Sequence, residues 1–248
     1  LIFTAALFFI PPIPLGADYH YFSDQRQLFA IPNALNVLSN ILFFLVGLWG
    51  MFFTVRRASR ASFLINAERI PYFVFFSGVM LTGIGSACYH AAPGDARLLY
   101  DLLPMSVAFV SLVDAVIVER ISVPMGLRLY LPFVLLAAAS VLYWHHGESI
   151  GHGDLRFYLF IQFFSPVAIA TMVCLFPPRY TRTADLFVAF LLFALAKLCE
   201  LLDERIYSLG RVVSGHTLKH LVAGFSCYWI LRMLQRRRAA AKANASEA

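Results

Sequence analysis

Charge is scarce in this sequence. Asp, Glu, Lys and Arg make up 14% of its 248 residues, against roughly 25% in a soluble globular domain, while 60% of the residues are hydrophobic. The imbalance points to lipid as the solvent rather than to an unusually large core. Cysteine is sparse too. Cys88, Cys174, Cys199 and Cys227 form no CxxC pair, and each lies in an apolar stretch where a free thiol behaves as a small hydrophobe. This argues against a disulfide framework and against a thiolate metal site. Internal repeats, long linkers and the paired Gly/Pro-broken helices of many carriers are also missing. A net charge of +6 would suit nucleic acid, but the basic residues fall in short clusters between apolar runs and no aromatic–basic stripe accompanies them. Nucleic-acid binding is not expected.

What the chain does have is long apolar runs. A helix needs about 20 apolar residues to cross a bilayer core, and seven segments meet or approach this: 34–55, 70–90, 98–119, 127–144, 156–176, 184–206 and 213–234. The expected fold is all-α, a seven-transmembrane-helix bundle over residues 18–235. Residues 1–17 include LIFTAALFFIPPIPL, which reaches Pro11 too soon to span and reads as a trimmed helix or signal remnant. Residues 236–248 read as a basic, flexible tail. Arg56, Arg57 and Arg60, then Arg120 and Arg128, then Arg179 and Arg182, and finally Arg236, Arg237 and Arg238 fall in alternate connections. They therefore share one side, which the positive-inside rule makes cytoplasmic together with the C-terminus.

The opposite side collects the histidines and many of the carboxylates. All seven histidines (His20, His90, His145, His146, His152, His216 and His220) lie there, with Asp18, Asp24, Asp95, Asp101, Glu148, Asp154, Glu200, Asp203 and Glu204. Polar groups inside membrane helices are costly and tend to mark functional sites. In the seventh segment His216 and His220 are four residues apart, about 6 Å along one helix face. The second segment ends in TGIGSACYH, with Thr82, Ser86 and His90 on another such stripe and Gly78 one turn earlier, where a neighbouring helix can come close. The third opens with LLYDLLPM, placing Asp101 in or just before its first turn.

Three histidines with an open fourth position make a catalytic zinc set. Zinc acidifies bound water and polarises a carbonyl. A carboxylate such as Asp101 can relay the proton, and a hydroxyl such as Ser86 can support a developing oxyanion. Each motif alone also has a plain structural reading. Two interfacial histidines can simply meet headgroups, Ser86 can be a packing residue bonded to its own backbone, and Asp101 can be a helix N-cap with Pro104 in the first turn. His145, His146 and His152 read as a solvated loop or a surface metal site. Taken together, the three helix ends favour the zinc site.

SxxxH at 86–90, Asp101 in DLLPM and HTLKH at 216–220 resemble the alkaline ceramidase (alkaline phytoceramidase-like) family, part of a wider group of seven-helix membrane hydrolases that includes the adiponectin-receptor-like proteins. IPNALNVLSNILFF at 31–44, with Asn36, Ser39 and Asn40, resembles the start of that family's first helix. AKLCELLDERI at 196–206 resembles the acidic end of its sixth. The resemblance implies hydrolysis of the amide bond of ceramides to a fatty acid and a sphingoid base. It implies His90, His216 and His220 as zinc ligands, Asp101 as the acid/base partner and Ser86 as the nearby hydroxyl.

One position departs from the family. Eukaryotic members resemble one another in an acidic N-terminal calcium site with a glutamate three residues before the first-helix asparagine, where this chain has Asn33. Asp18, Asp24 and Asn33 can still offer oxygens to Ca²⁺, or form an ordinary solvated loop. Lys197, Glu200 and Asp203, three residues apart on the sixth segment, read either as an intrahelical ion pair or as partners orienting the ligand histidines or the substrate hydroxyls. The leading expectation is a zinc-dependent amidase embedded in the membrane and acting on ceramide-like lipids. A heptahelical receptor or transporter with bound zinc, and a hydrolase of another N-acyl lipid or lipid ester, are the alternatives.

Overall fold

Every long apolar run of the sequence becomes a helix. The computed structural model describes residue 7 and residues 9–240. Residues 1–6, 8 and 241–248 and the side chains of Arg57, Ala58 and Arg60 lie outside the description, and with them parts of the expected N-terminal segment and basic tail. In chain order the helices are α1 (Ala34–Leu38), α2 (Ile41–Val55), α3 (Arg69–Ala91), α4 (Asp95–Arg120), α5 (Val123–Ser149), α6 (Arg156–Leu175), α7 (Ala184–Leu201), α8 (Asp203–Ser208) and α9 (Gly215–Arg236). The described residues form no strand beyond two isolated bridges.

Five stretches are long and apolar enough to cross a membrane: Ala34–Val55, Asn66–Ala91, Asp95–Arg120, Val123–Ser149 and Arg156–Leu175. α7 and α9 are diluted by ionisable residues: Asp185, Lys197 and Glu200 on the first, His216, Lys219, His220 and Arg232 on the second. α7 nevertheless turns a stripe of exposed leucines outward, with Leu191 at 69%, Leu195 at 44% and Leu198 at 49% relative exposure. The same i, i+4 pattern recurs on α2 and α5, at Ile41 and Leu45 and at Leu131 and Leu135. Apolar side chains left outside in such rows face lipid. The chain is a multi-pass membrane protein.

Packing places α3 against α2 on one side and α4 on the other, α5 and α6 against α4, and α9 against α7 and α2. Lipid gives apolar surfaces no reason to associate, so close approach of small residues carries much of this packing. Gly85 is the tightest case. A Cβ there would lie 1.9 Å from the Tyr100 carbonyl oxygen. Pro104 has no amide to close the helical turn onto that carbonyl, and the glycine backbone packs against it instead. The contact presses the Ser86 turn of α3 against the Asp101 turn of α4.

Two of the boundaries that differ from the expected ones bear on the site. α4 begins at Asp95 after Gly94, so Asp101 sits in the second turn rather than at an N-cap. The sixth segment does not run unbroken to 206. It stops at Leu201, and Asp203 opens the separate short helix α8. At the arginine-rich end Arg237, 4% exposed, pairs with Glu119 and lies against the rings of Phe63, Tyr72 and Tyr180, fixing the C-terminal end of α9.

Candidate metal centre

Two helices deliver the histidines. His90 ends the Thr82–Ser86–His90 stripe of α3, and His216 and His220 occupy the first two turns of α9. The start of α9 is built with care. Ser214 caps it, its Oγ accepting the Thr217 amide at 3.1 Å. Asn36 on α1 receives the Thr217 hydroxyl at 2.7 Å and the Ser214 hydroxyl at 3.4 Å. Asp203 accepts the His216 amide at 2.7 Å, and Gly215 permits this closeness, since a Cβ there would lie 2.2 Å from the Cys199 carbonyl oxygen. Asp203 therefore caps the helix carrying two of the histidines, while Lys197 and Glu200 pair with each other on α7.

The three imidazole rings converge, with centroid separations of 4.8, 4.8 and 4.9 Å. Their facing nitrogens all lie within 4.8 Å of one another, and among the described residues this is the one group of His, Cys, Asp and Glu able to hold a metal ion. The Nε2 atoms of His90 and His216 are 3.3 Å apart. Two ligands bound tetrahedrally at zinc–nitrogen distances of about 2.0–2.1 Å would be separated by about 3.3–3.4 Å, so the pair fits such an ion. A set of neutral imidazoles with neither thiolate nor hard oxygen suits zinc chemically.

The tautomer of His220 follows from its neighbours. The Ser39 hydroxyl donates its one proton to the Asn36 carbonyl at 3.1 Å, so at 2.8 Å from His220 Nδ1 it accepts. Nδ1 carries the hydrogen, and the Nε2 lone pair faces the other two histidines, buried and without a protein partner. A ligand histidine is commonly oriented in this way by a partner on its far nitrogen.

Asp101 stands beside this group, 6% exposed, with Ser86 next to it on the cavity wall and its Oδ1 unpaired. Asp101, Ser86 and His220 border one end of a cavity of about 260 Å³. Lys197, Glu200 and Lys219 border the same end, and the remainder is mostly apolar, from Met105 and Phe109 to Ile169, Phe193 and Ile230. The end opposite the acid therefore suits a hydrocarbon chain.

The segment before α1 straps over the histidines. Phe22 lies 4.6 Å from the His90 ring and 5.0 Å from the His216 ring. Asp24 takes the Nε and Nη2 of Arg26 at 2.8 and 2.7 Å, and Arg26 also reaches the Val212 carbonyl at 2.7 Å. These hydrogen bonds hold the Asp24 carboxyl below its ordinary 3.8 despite burial. Asn33 adopts φ 47°, the left-handed region that asparagine tolerates, and its Nδ2 donates to the His90 carbonyl at 2.9 Å. Asp18 is exposed and supplies a turn carbonyl to the Tyr21 amide. The three residues weighed for calcium are thus engaged separately. His145 and His146, expected in a solvated loop, lie instead in the last turns of α5, which runs on to Ser149, and neither they nor His152 takes part in the histidine group.

Sequence reasoning brought five residues to this point: Ser86, His90, Asp101, His216 and His220. It passed over Lys219 and Phe22. Lys219 carried a visible signal, because its i, i+3 spacing from His216 in HTLKH puts it beside that histidine. Phe22, far from the motifs in sequence, carried none.

A family model described as Ceramidase matches residues 27–248, nearly the whole chain. The chain belongs to the ceramidase family. Membership makes it a hydrolase acting on amide C–N bonds and connects it with lipid metabolism. A search among curated proteins gave no match. The histidine group, the buried carboxylate and the apolar cavity are therefore features of a ceramidase-family membrane hydrolase.

Proposed function

We propose that the chain is a zinc-dependent amidase that hydrolyses the N-acyl bond of ceramide-like lipids, releasing a fatty acid and a sphingoid base. The observation that carries this reading is the meeting of three imidazoles and an unpaired buried carboxylate at the head of an apolar cavity. His90, His216 and His220 would hold the metal, which when bound supplies the Lewis acidity that polarises a carbonyl and acidifies water. Asp101 takes a proton from the attacking water and returns it to the leaving amine. Ser86, on the cavity wall with Asp101, offers a hydroxyl to the developing oxyanion. Phe22 excludes bulk water from the histidine side, and the cavity takes the acyl chain.

In this reading α7 and α9 also cross the bilayer, giving seven spans within 18–235. Their ionisable residues face the site while their outer faces meet lipid. Positive-inside charge places the C-terminus in the cytoplasm and the metal centre toward the opposite face. A calcium ion at Asp24 would have to displace an internal guanidinium.

The test is mass spectrometry of products after detergent-purified protein meets a mixture of N-acyl lipids and lipid esters, with His216→Ala and a chelated sample as blanks. Fatty acid and sphingoid base released by wild type alone support the reading. Zinc-loaded wild type that cleaves no amide in the mixture overturns it.

A further inference from the structure

Lys219 follows His216 by three residues, so the helix places the two side by side. Its Nζ is 2.9 Å from His216 Nε2 and 3.0 Å from Glu200 Oε1, and the side chain borders the cavity beside Asp101 and Ser86. A cation so close to a metal position repels the metal, and an ordinary packing role would be filled at less cost by an uncharged residue. Resting on the amidase reading above, the geometry points to Lys219 as a further catalytic residue, the cation that receives the negative charge of the scissile carbonyl and then holds the carboxylate of the released fatty acid.

The charges around the cavity head suit this role. Lys197 and Lys219 are balanced by Glu200, which pairs with both, and by Asp101. These four side chains sum to zero, so they add no net charge of their own to that of a bound metal. When Asp101 takes a proton from water, the sum becomes one positive charge just as negative charge appears on the carbonyl oxygen. The water oxygen bonds to the acyl carbon, the C–N bond breaks and its electron pair leaves with nitrogen, which receives the proton from Asp101. The second water proton passes from the new carboxylic acid to the amine, so the products are a carboxylate and an ammonium. An ammonium has three N–H donors. The one now directed at His216 Nε2 is free to turn to the substrate whenever that lone pair is committed to a metal ion.

The test compares wild type with Lys219→Met, Lys219→Gln and Lys219→Arg by zinc titration against a competing chelator, by kcat and KM on an N-dodecanoyl sphingoid base, and by binding of dodecanoate to the zinc-loaded protein. Loss of the charge is expected to leave zinc affinity equal or higher, to lower kcat about tenfold or more with KM little changed, and to weaken dodecanoate binding about tenfold, as removal of one charge-assisted donor does. Lys219→Arg is expected to recover most dodecanoate binding. Zinc loss in step with activity would make Lys219 only a prop for His216 and overturn the proposal. Unchanged dodecanoate affinity in both uncharged variants would overturn it as well. If zinc-loaded wild type cleaves no amide, the function reading fails on its own, and dodecanoate binding still decides Lys219: weaker binding to the uncharged variants supports the carboxylate contact, and equal binding overturns it.

Discussion

Ser39 Oγ sits 2.8 Å from His220 Nδ1 while its own hydrogen points to the Asn36 carbonyl. A serine at the break between α1 and α2 thereby sets which nitrogen of a histidine 181 residues away keeps a lone pair. Asn40, next in sequence, approaches the same Nδ1 at 3.5 Å.

Removing that acceptor is expected to weaken the metal centre without unfolding the protein. Ser39→Ala should lower zinc affinity by about 10–100-fold, the usual effect of losing a partner that orients a ligand. Zinc titration against a chelator measures this, and size-exclusion elution with the wild-type profile confirms the fold. Wild-type affinity in the variant would show that the hydrogen bond does not orient His220.

Asp101→Asn separates acid/base work from metal binding. The amide matches the carboxyl in shape, but it cannot carry a proton from water to amine. The expected result is a fall in kcat of about 10²–10⁴ with zinc content unchanged. His90→Ala, in contrast, should lose the metal itself. Full activity in Asp101→Asn would remove the carboxylate from the mechanism.

The strap over the histidines is expected to loosen in acid. Hydrogen bonds from Arg26 hold the Asp24 carboxyl below 3.8. Burial alone would raise Asp154, but Arg156 and the Ile13 amide bring it below 3.8 as well. Arg156 also reaches the Leu7 and Ile10 carbonyls. A carboxyl with a depressed folded pKa contributes stability that is fully present above its unfolded value and is lost as pH falls through the folded value. Protease cleavage within residues 9–33 should therefore be constant from neutral pH down to about pH 4 and rise below it. A neutral protease above about pH 6 and pepsin below it, each normalised at every pH to cleavage of an unfolded peptide, read this out, with Arg26→Ala already partly cleavable at the upper end of the pepsin range. A flat profile in both proteins would show that these pairs do not hold the strap.

Much of this molecule was legible as local pattern. Apolar runs long enough for a bilayer core located the helices, because hydropathy and chain length act residue by residue, and the i, i+4 spacing of His216 and His220 put both on one face whatever surrounds them. The starts and stops were less legible. Asp101 lies in the second turn of α4 because Gly94 and Asp95 begin the helix earlier than apolar content suggests. Asp203 leaves the Lys197–Glu200 stripe because the chain breaks at Leu202 and the carboxylate caps α9 instead.

By itself, then, the sequence determined an all-helical membrane chain with its histidines and most of its carboxylates gathered toward one end, since helical period and the cost of charge in lipid depend only on neighbouring residues. The tertiary structure decided what those residues do for one another: that His90 Nε2 meets His216 Nε2 at 3.3 Å, that Ser39 sets the His220 tautomer, that Phe22 covers the rings, and that Lys219 shares Glu200 with Lys197 at the head of the cavity. These are contacts between segments far apart in the chain, and their distances depend on how whole helices pack, through close approaches such as Gly85 against Tyr100 that no local pattern encodes.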